Sequence, residues 1–301
     1  MLMGRAVREP NEEIDVDETQ AGALVLVATP LGNLGDLSAR AIELFRTAHV
    51  IYCEDTRHSR VLFSANDIPT GGRLESLHEH NEAAQSAHIV ERVRAGELVV
   101  LISDAGTPGI SDPGSRAVEA VVAAGLRVST APGPSAVVAA LTVSGLATDR
   151  FVMEGFVPRK AGERAVRYGE WVRESRTIVF YESPQRVTAT LGELAAVLPD
   201  RRVAVVRELT KFHEEVIRGT VAEVAQALRE RDVMGEIVVV LEGAPEPARV
   251  DDEVIRAALE EQWSEGATTR DAVDFVADAL GVARRDVYQL ALEARKGRSS
   301  S

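Results

Sequence analysis

Apolar and polar positions along this chain come in short blocks whose period changes repeatedly. Residues 24–28 (LVLVA) are a brief apolar run, and TPLGNLGD at 29–36 stops it with Pro and Gly. That pattern predicts a buried strand followed by a tight loop. The next block, SARAIELFRTA, places Leu37, Ala41, Leu44 and Phe45 at helical spacing, with Asp36 or Ser38 positioned to cap the helix. HVIYCEDTR (49–57) predicts a second strand that ends in charge, and a helix is expected around residues 81–95. ELVVLISDAG (97–106) predicts a third strand, SRAVEAVVAAG (115–125) a helix closed by Gly125, and LRVSTAPGPSA (126–136) another strand running into a loop. Strands alternating with helices, with polar loops at the strand ends, predict an open α/β sheet.

The same rhythm restarts further on. TIVFYESPQRV (177–187), RRVAVVRELTKFHEE (201–215) and GEIVVVLEG (235–243) predict strands that pass into polar turns. RYGEWVRES, TATLGELAAVL and VAEVAQALRE supply helices between them. The break after Pro132-Gly133-Pro134 divides an N-terminal α/β domain (23–134) from a C-terminal one (135–243). GAPEPARV (243–250) is a Pro-rich linker, and TTRDAVDFVADALGVARRDVYQLALEA predicts two short helices around Gly281, so 244–301 is expected to be a linker with a helix-turn-helix-like tail.

Composition adjusts this picture in three ways. A chain of 301 residues can bury more than one core. One cysteine, Cys53, rules out an intrachain disulfide and a cysteine-based metal cluster. There is no signal-peptide pattern after the first basic residues and no apolar run of bilayer length, which predicts a cytosolic protein. The net charge of −13 lowers the expectation of a nucleic-acid partner without removing it, because local patches set the field a ligand meets. Part of the excess sits at the start: residues 1–20 hold six acids against two arginines, and 1–22 is expected to be a disordered acidic leader.

The densest chemistry lies in LISDAGTPGISDPG (101–114). Ser103, Asp104, Gly106, Thr107, Gly109, Ser111, Asp112 and Gly114 leave little side chain between the backbone and a ligand. Two carboxylates in such a loop argue against a phosphate cradle and for a ligand rich in hydroxyls, amides or positive charge. The spacing matches neither a P-loop nor a dinucleotide fingerprint. TPLGNLGD is expected to line the same cleft, at the C-terminal edge of the sheet. Glu54, Asp55 and Arg57 end the second strand together and could meet a ribose hydroxyl, a phosphate or a base edge. His78 and His80 tempt a metal reading, but the ligand spacing is wrong, and polar contact or local hydrogen bonding is preferred. In the second half, Arg186, Arg207, Lys211 and Arg218 could offset the acidic surface against a phosphate backbone, and Glu182, Glu208 and Glu214 could orient or accept protons. No nucleophile elbow is present.

Taken together, VATPLGNLGDLSARA (27–41), YCEDTRHS (52–59), LHEHNE (77–82), LISDAGTPGISDPG (101–114), APGPSA (131–136), GFVPRK (155–160), FYESPQR (180–186) and RELTKFHEE (207–215) resemble the ribosomal RNA small-subunit methyltransferases of the tetrapyrrole methylase superfamily. The resemblance covers roughly residues 24–243. It implies a two-domain α/β fold, normally a homodimer, with S-adenosylmethionine bound between the domains and no metal. It further implies 2′-O-methylation of a cytidine ribose in the decoding region of small-subunit ribosomal RNA. On the resemblance, Pro30, Leu31, Gly32, Asn33, Ser103, Asp104, Ala105, Gly106, Thr107, Pro108, Ser111, Asp112, Ala131 and Pro132 should line the cofactor cleft. Glu54, Asp55, Arg57, Arg186 and Arg207 fall on the RNA side, and Glu182, Glu208 and Lys211 are the candidates for catalysis. Gln185 departs from the pattern, which has histidine there, so an amide is expected to make that contact with RNA. A carboxylate (Glu182 or Glu208) or Lys211 with a lowered pKa could take the hydroxyl proton, and Lys211 could instead stabilise the oxyanion. Two competing readings are a small-molecule, tetrapyrrole-type methyltransferase and a non-catalytic RNA-binding module.

Overall fold

The computed structural model describes residues 22–245 and 250–298, so all but the last residue of the expected acidic leader lies outside the described residues. Of the described residues, those from 22 to 244 form one compact unit and those from Pro245 onward form another. Two five-stranded sheets make up the first unit.

In the first sheet, β1 (Ala23–Val27), β2 (Val50–Cys53), β3 (Leu74–Ser76), β4 (Leu98–Leu101) and β5 (Arg127–Ala131) are all parallel and lie in the order β3-β2-β4-β1-β5. The crossovers carry α1 (Ala39–Thr47), α2 (Thr56–Ala65), α3 (Glu82–Arg94) and α4 (Ser115–Ala123). Successive strand residues point to opposite faces, and each face is covered. Val25, Val27, Ile51 and Val100 pack with Phe45 of α1 and Phe63 of α2. Leu24, Tyr52, Val99 and Leu101 pack with Ile89 of α3 and Val121 of α4. Ser38, not Asp36, caps α1, accepting from the Ala41 amide at 3.1 Å. From β1 the chain runs toward β2, but from β4 it crosses to the other side, to β5. The crossovers that follow the adjacent strands β1 and β4 therefore lead away to opposite sides, leaving a crevice at the C-terminal ends of the strands.

The second sheet is preceded by α5 (Ala136–Ser144) and built from β6 (Phe151–Phe156), β7 (Thr177–Glu182), β8 (Arg202–Arg207), β9 (Glu215–Thr220) and β10 (Ile237–Leu241), in the order β6-β7-β10-β8-β9. Only β6 and β7 are parallel; the other pairs are antiparallel. Val179, Ala204, Val206 and Val240 pack on α5. Ile178, Phe180, Val205 and Val239 pack on α6 (Ala161–Trp171), α7 (Pro184–Ala195) and α8 (Val221–Arg229). In register, Ile237 stands opposite both Glu182 and Arg207, so the end of β7, the end of β8 and the start of β10 share one edge.

The second unit holds α9 (Asp252–Ser264), α10 (Thr269–Leu280) and α11 (Arg284–Arg298). Its own core includes Ile255, Leu259, Val273, Val276, Val287 and Ala291. The two helices expected around Gly281 are α10 and α11, with Gly281 at φ +63 closing α10. The sequence reading omitted α9. It also omitted α2, β3, β6 and β9, which are short, charged or half-exposed. The helix expected over 167–175 runs instead from Ala161 to Trp171, because Tyr168 and Trp171 form its buried face and the chain must then turn into β7. Among the described residues, no helix is long and apolar enough to cross a membrane.

Candidate active site

The loop after β4 is locked to the loop after β1 by paired main-chain hydrogen bonds. The Thr29 amide donates to the Gly106 carbonyl at 2.9 Å, and the Gly106 amide donates to the Thr29 carbonyl at 3.0 Å. The buried Thr29 hydroxyl donates to the Ser103 carbonyl at 3.1 Å. Gly106 has φ +85 and packs so close to Leu31 that a Cβ would lie 3.2 Å from its Cδ2, a conformation and a spacing that favour glycine. Thr107 Oγ1 donates to the Pro134 carbonyl at 3.0 Å, tying in the loop after β5. At the far end, buried Glu82 accepts from the amides of Gly114 (2.8 Å) and Arg116 (3.0 Å), where α4 begins. A carboxylate there satisfies amides that the helix cannot pair itself. This gives the LHEHNE segment a physical role: Glu82 anchors the loop.

Three carboxylates converge on this loop. Burial and the charges of Glu54 and Asp104 push Asp112 up to about 6. Partial desolvation at the rim and the charge of Asp104 raise Glu54. Asp104 accepts from the Asp55 amide at 3.2 Å. The crevice is thus a negative well whose carboxylates gain from a cation placed among them.

The edge of the second sheet forms the facing wall. The cleft encloses about 400 Å3. From the first sheet it is lined by Leu31, Asp104, Thr107, Ile110, Ser111 and Asp112, and from the second by Phe156, Tyr181, Glu182, Val206, Leu209 and Glu236 among others. Burial and the charge of Asp112 push the Tyr181 phenol up to about 12, so it stays neutral. Glu182 is buried, and both its oxygens are engaged: Oε1 accepts from the Ser183 amide, and Oε2 from Thr190 Oγ1, each at 2.8 Å.

At the rim, Lys211 Nζ donates to Glu208 (2.9 Å) and Glu236 (3.0 Å). Its stem crosses Gly32, where a Cβ would stand 2.3 Å from Lys211 Cγ. Burial lowers the Lys211 pKa, but the bonds and charges of the two glutamates outweigh it and leave the ammonium above its usual value. The Glu236 amide and then Lys211 hold Glu208 below the usual carboxylate range. Glu208 (φ +53) and Thr210 (φ +66) are both left-handed, so this turn is strained where it meets the cleft.

Of the residues expected to line the cofactor cleft, Leu31, Asp104, Ala105, Gly106, Thr107, Ser111 and Asp112 do line it. Pro30, Ser103, Pro108 and Ala131 are buried loop framework, Pro132 is exposed, and Asn33 caps a short helical turn by accepting from the Gly35 amide. Ser135 and Ala136 line the cleft where Ala131 and Pro132 were expected. Of the expected catalytic residues, Glu182 lines the cleft, while Glu208 and Lys211 form its rim. On the expected RNA side, Asp55 is the α2 cap and is held down to about 2 by its hydrogen bonds from Arg57, whose guanidinium is otherwise exposed. Arg186 donates to the carbonyls of Val157 and Pro158 and faces Glu182 at 3.3 Å. Arg207 is held by Glu215 and the Met234 carbonyl. Both arginines are thus spent on internal contacts, whereas Gln185 is exposed. Thr29, Glu82, Ile110, Phe156 and Tyr181 were not singled out from the sequence. All five fall inside recognised motifs, but nothing in those motifs indicates which side chain faces the cleft.

The donor set fits S-adenosylmethionine. The cleft is large enough for a cofactor of that class, which typically needs about 300–1,000 Å3. Its carboxylates suit a sulfonium, an ammonium or ribose hydroxyls, and its apolar floor suits an adenine. Comparison with known proteins agrees. Residues 23–225 match the family model described as Tetrapyrrole (Corrin/Porphyrin) Methylases. The chain is 42% identical over 275 residues to Ribosomal RNA small subunit methyltransferase I of Synechocystis sp., covering 90% of this chain and 98% of that one. It is 43% identical over 278 residues to the protein of the same name in Mycobacterium tuberculosis, covering 92% and 96%. Among solved structures, uroporphyrin-III C-methyltransferase of Thermus thermophilus complexed with S-adenosylhomocysteine shares the fold, with TM-score 0.52 and 22% identity over 73% of this chain and 96% of that one. Diphthine synthase does so with TM-score 0.56 and 16% identity, over 73% and 90%.

Proposed function

The chain belongs to the tetrapyrrole methylase family and is an S-adenosylmethionine-dependent methyltransferase of ribosomal RNA, and we propose that it methylates the ribose 2′-hydroxyl of a cytidine in the decoding region of the small subunit. The observation that carries this reading is the extent of the likeness. The two ribosomal RNA methyltransferases named above are 42% and 43% identical to the chain over at least 90% of it, whereas the 22% identity to the tetrapyrrole enzyme reflects the fold alone.

When bound, S-adenosylmethionine supplies a methyl group made electrophilic by its sulfonium. Asp104, Asp112 and the main chain of 104–107 would hold its polar and cationic groups, and Leu31, Val206, Leu209 and Val238 its adenine. A cation beside Asp112 favours the ionised carboxylate, so binding releases the proton that the free cleft retains below pH 6.

Lys211 remains protonated between its two glutamates. It is therefore assigned to stabilise negative charge developing on the acceptor oxygen rather than to remove its proton. Glu182 and Glu208 orient their neighbours, since one has both oxygens occupied and the other is acidified. The hydroxyl proton would pass to water or to the largely exposed Glu236 carboxylate at the rim as the acceptor oxygen attacks, which leaves on that oxygen the negative charge that Lys211 stabilises. Residues on facing sheets would align the acceptor with the donor, and closure about the cleft would exclude bulk water.

The test is methyl transfer from labelled S-adenosylmethionine, with unmodified small ribosomal subunits and a uroporphyrinogen-type acceptor run in parallel. Label in the RNA alone is the expected outcome. Label in the tetrapyrrole alone would overturn the reading in favour of a small-molecule enzyme.

A further inference from the structure

Strand β6 reaches the cleft through a break in register. Its partners on β7 run Phe151 to Thr177, Val152 to Ile178 and Met153 to Val179, and then Phe156 pairs with Tyr181. The β6 side thus carries one extra residue, and within it Gly155 takes φ +69, where a side chain would be strained. Such a bulge bends its strand and re-aims the side chain that follows. Here it brings Phe156 into the cleft lining, its ring 5.3 Å from that of Tyr181 at 50°.

Phe156 nevertheless remains 60% exposed. Leu31, Ile237 and Val238, which make up much of the apolar floor, are buried. Ile110, from the first-sheet loop, is the other strongly exposed apolar side chain of the lining, at 46%. A lone exposed phenylalanine elsewhere on a surface would need no explanation. One delivered into a cleft by a bulge, backed by a second aromatic ring and left open in front, is built to receive a flat partner.

We infer that the open face of Phe156 is the platform on which the base of the acceptor nucleotide stacks; this rests on the RNA reading above. The 2′-hydroxyl is displayed at the surface of an RNA strand, but a methyl donor recessed in a cleft is best reached when the nucleotide that bears it turns out of the strand. The base then loses its stacking neighbours, and an aromatic ring replaces them. The neutral Tyr181 phenol behind Phe156 adds no charge against a neutral base. Phe156 is thus a substrate-positioning residue. It acts on acceptor engagement, while the cofactor's polar groups are assigned to Asp104, Asp112 and the main chain of 104–107.

The experiment uses the full chain carrying Phe156→Ala, Phe156→Trp or Phe156→Leu. Phe156→Ala is expected to bind S-adenosylhomocysteine within about twofold of wild type, while its kcat/KM for unmodified small subunits falls about ten- to a hundredfold. Phe156→Trp should restore most of that loss and Phe156→Leu little. The Phe156→Trp fluorescence, against a wild-type background, should change on adding small subunits and not on adding S-adenosylhomocysteine. A tenfold loss of cofactor affinity in Phe156→Ala would place the ring under adenine instead. Full rescue by leucine would reduce it to an apolar cover, and a changed oligomeric state would make it a subunit contact. Unchanged transfer by Phe156→Ala beside an active wild type would overturn this assignment alone. A wild type that transfers nothing to small subunits would overturn the RNA reading and this assignment with it.

Discussion

Asp104, Asp112 and Lys211 divide the proposed chemistry between a cation-binding side and a cationic rim, and each makes a separate prediction. Asp104→Ala should chiefly weaken cofactor binding, by about tenfold or more in calorimetric titration, with the fold unchanged. Unaltered affinity would remove it from the cofactor site. Asp112, pushed up to about 6 by burial and its acidic neighbours, must be ionised to hold a cation. Affinity for S-adenosylmethionine should therefore be level above about pH 7 and fall roughly tenfold by pH 5, as the carboxyl takes up its proton. Asp112→Asn should flatten that profile. Lys211→Ala should lower methyl transfer by about ten- to a hundredfold while cofactor affinity stays within about threefold. These residue types and their grouping were legible in the sequence, since Asp104, Asp112, Glu208 and Lys211 were picked out from their loops. Their ionisation was not legible. The Lys211 ammonium is raised because Glu236, 25 residues further along the chain, supplies its second carboxylate, and Asp112 is raised because the fold buries it beside Glu54. Nor could the sequence tell that Arg186 and Arg207 are consumed by internal contacts.

Among the elements, the cofactor loop depends on its anchors at both ends. Removing the Glu82 carboxylate would leave the amides of Gly114 and Arg116 without their acceptor. Glu82→Ala should therefore cost about 2 kcal/mol in chemical denaturation and weaken cofactor binding, and Glu82→Gln should recover part of both. Gly32→Ala drives a methyl into the Lys211 stem. Because that stem is flexible, the expected loss is in methyl transfer, as with Lys211→Ala, more than in stability. The strands with continuous apolar runs, β1, β4, β7, β8 and β10, were legible from period and composition. The edge strands β3 and β9 were not, because half-exposed segments such as LES and EVIRGT lack the alternation that marks a buried face. The β6 bulge lay out of reach for a different reason: it exists only relative to its partner strand.

For the whole molecule, net charge misleads about the partner. A chain at −13 nevertheless groups with ribosomal RNA methyltransferases, and residues 1–20, which hold six of the acids, lie outside the described residues. All the residues lining the cleft precede Ala244, and the helices after Pro245 have their own core. A chain ending at Ala244 should therefore fold and bind S-adenosylhomocysteine within about threefold of the full protein. A collapse of binding would make the helical unit part of the site's support. The homodimer that the family resemblance implies predicts a two-chain species in sedimentation at micromolar concentration.

The central claim concerns one atom on one nucleoside, and nucleoside mapping of RNA methylated by this protein tests it most directly. Small subunits lacking the modification would be incubated with the protein and S-adenosylmethionine, and their RNA digested to nucleosides and read by mass spectrometry. The account predicts 2′-O-methylcytidine, derived from a single decoding-region fragment. A methyl group found on a base, or on the ribose of another nucleoside, would contradict it.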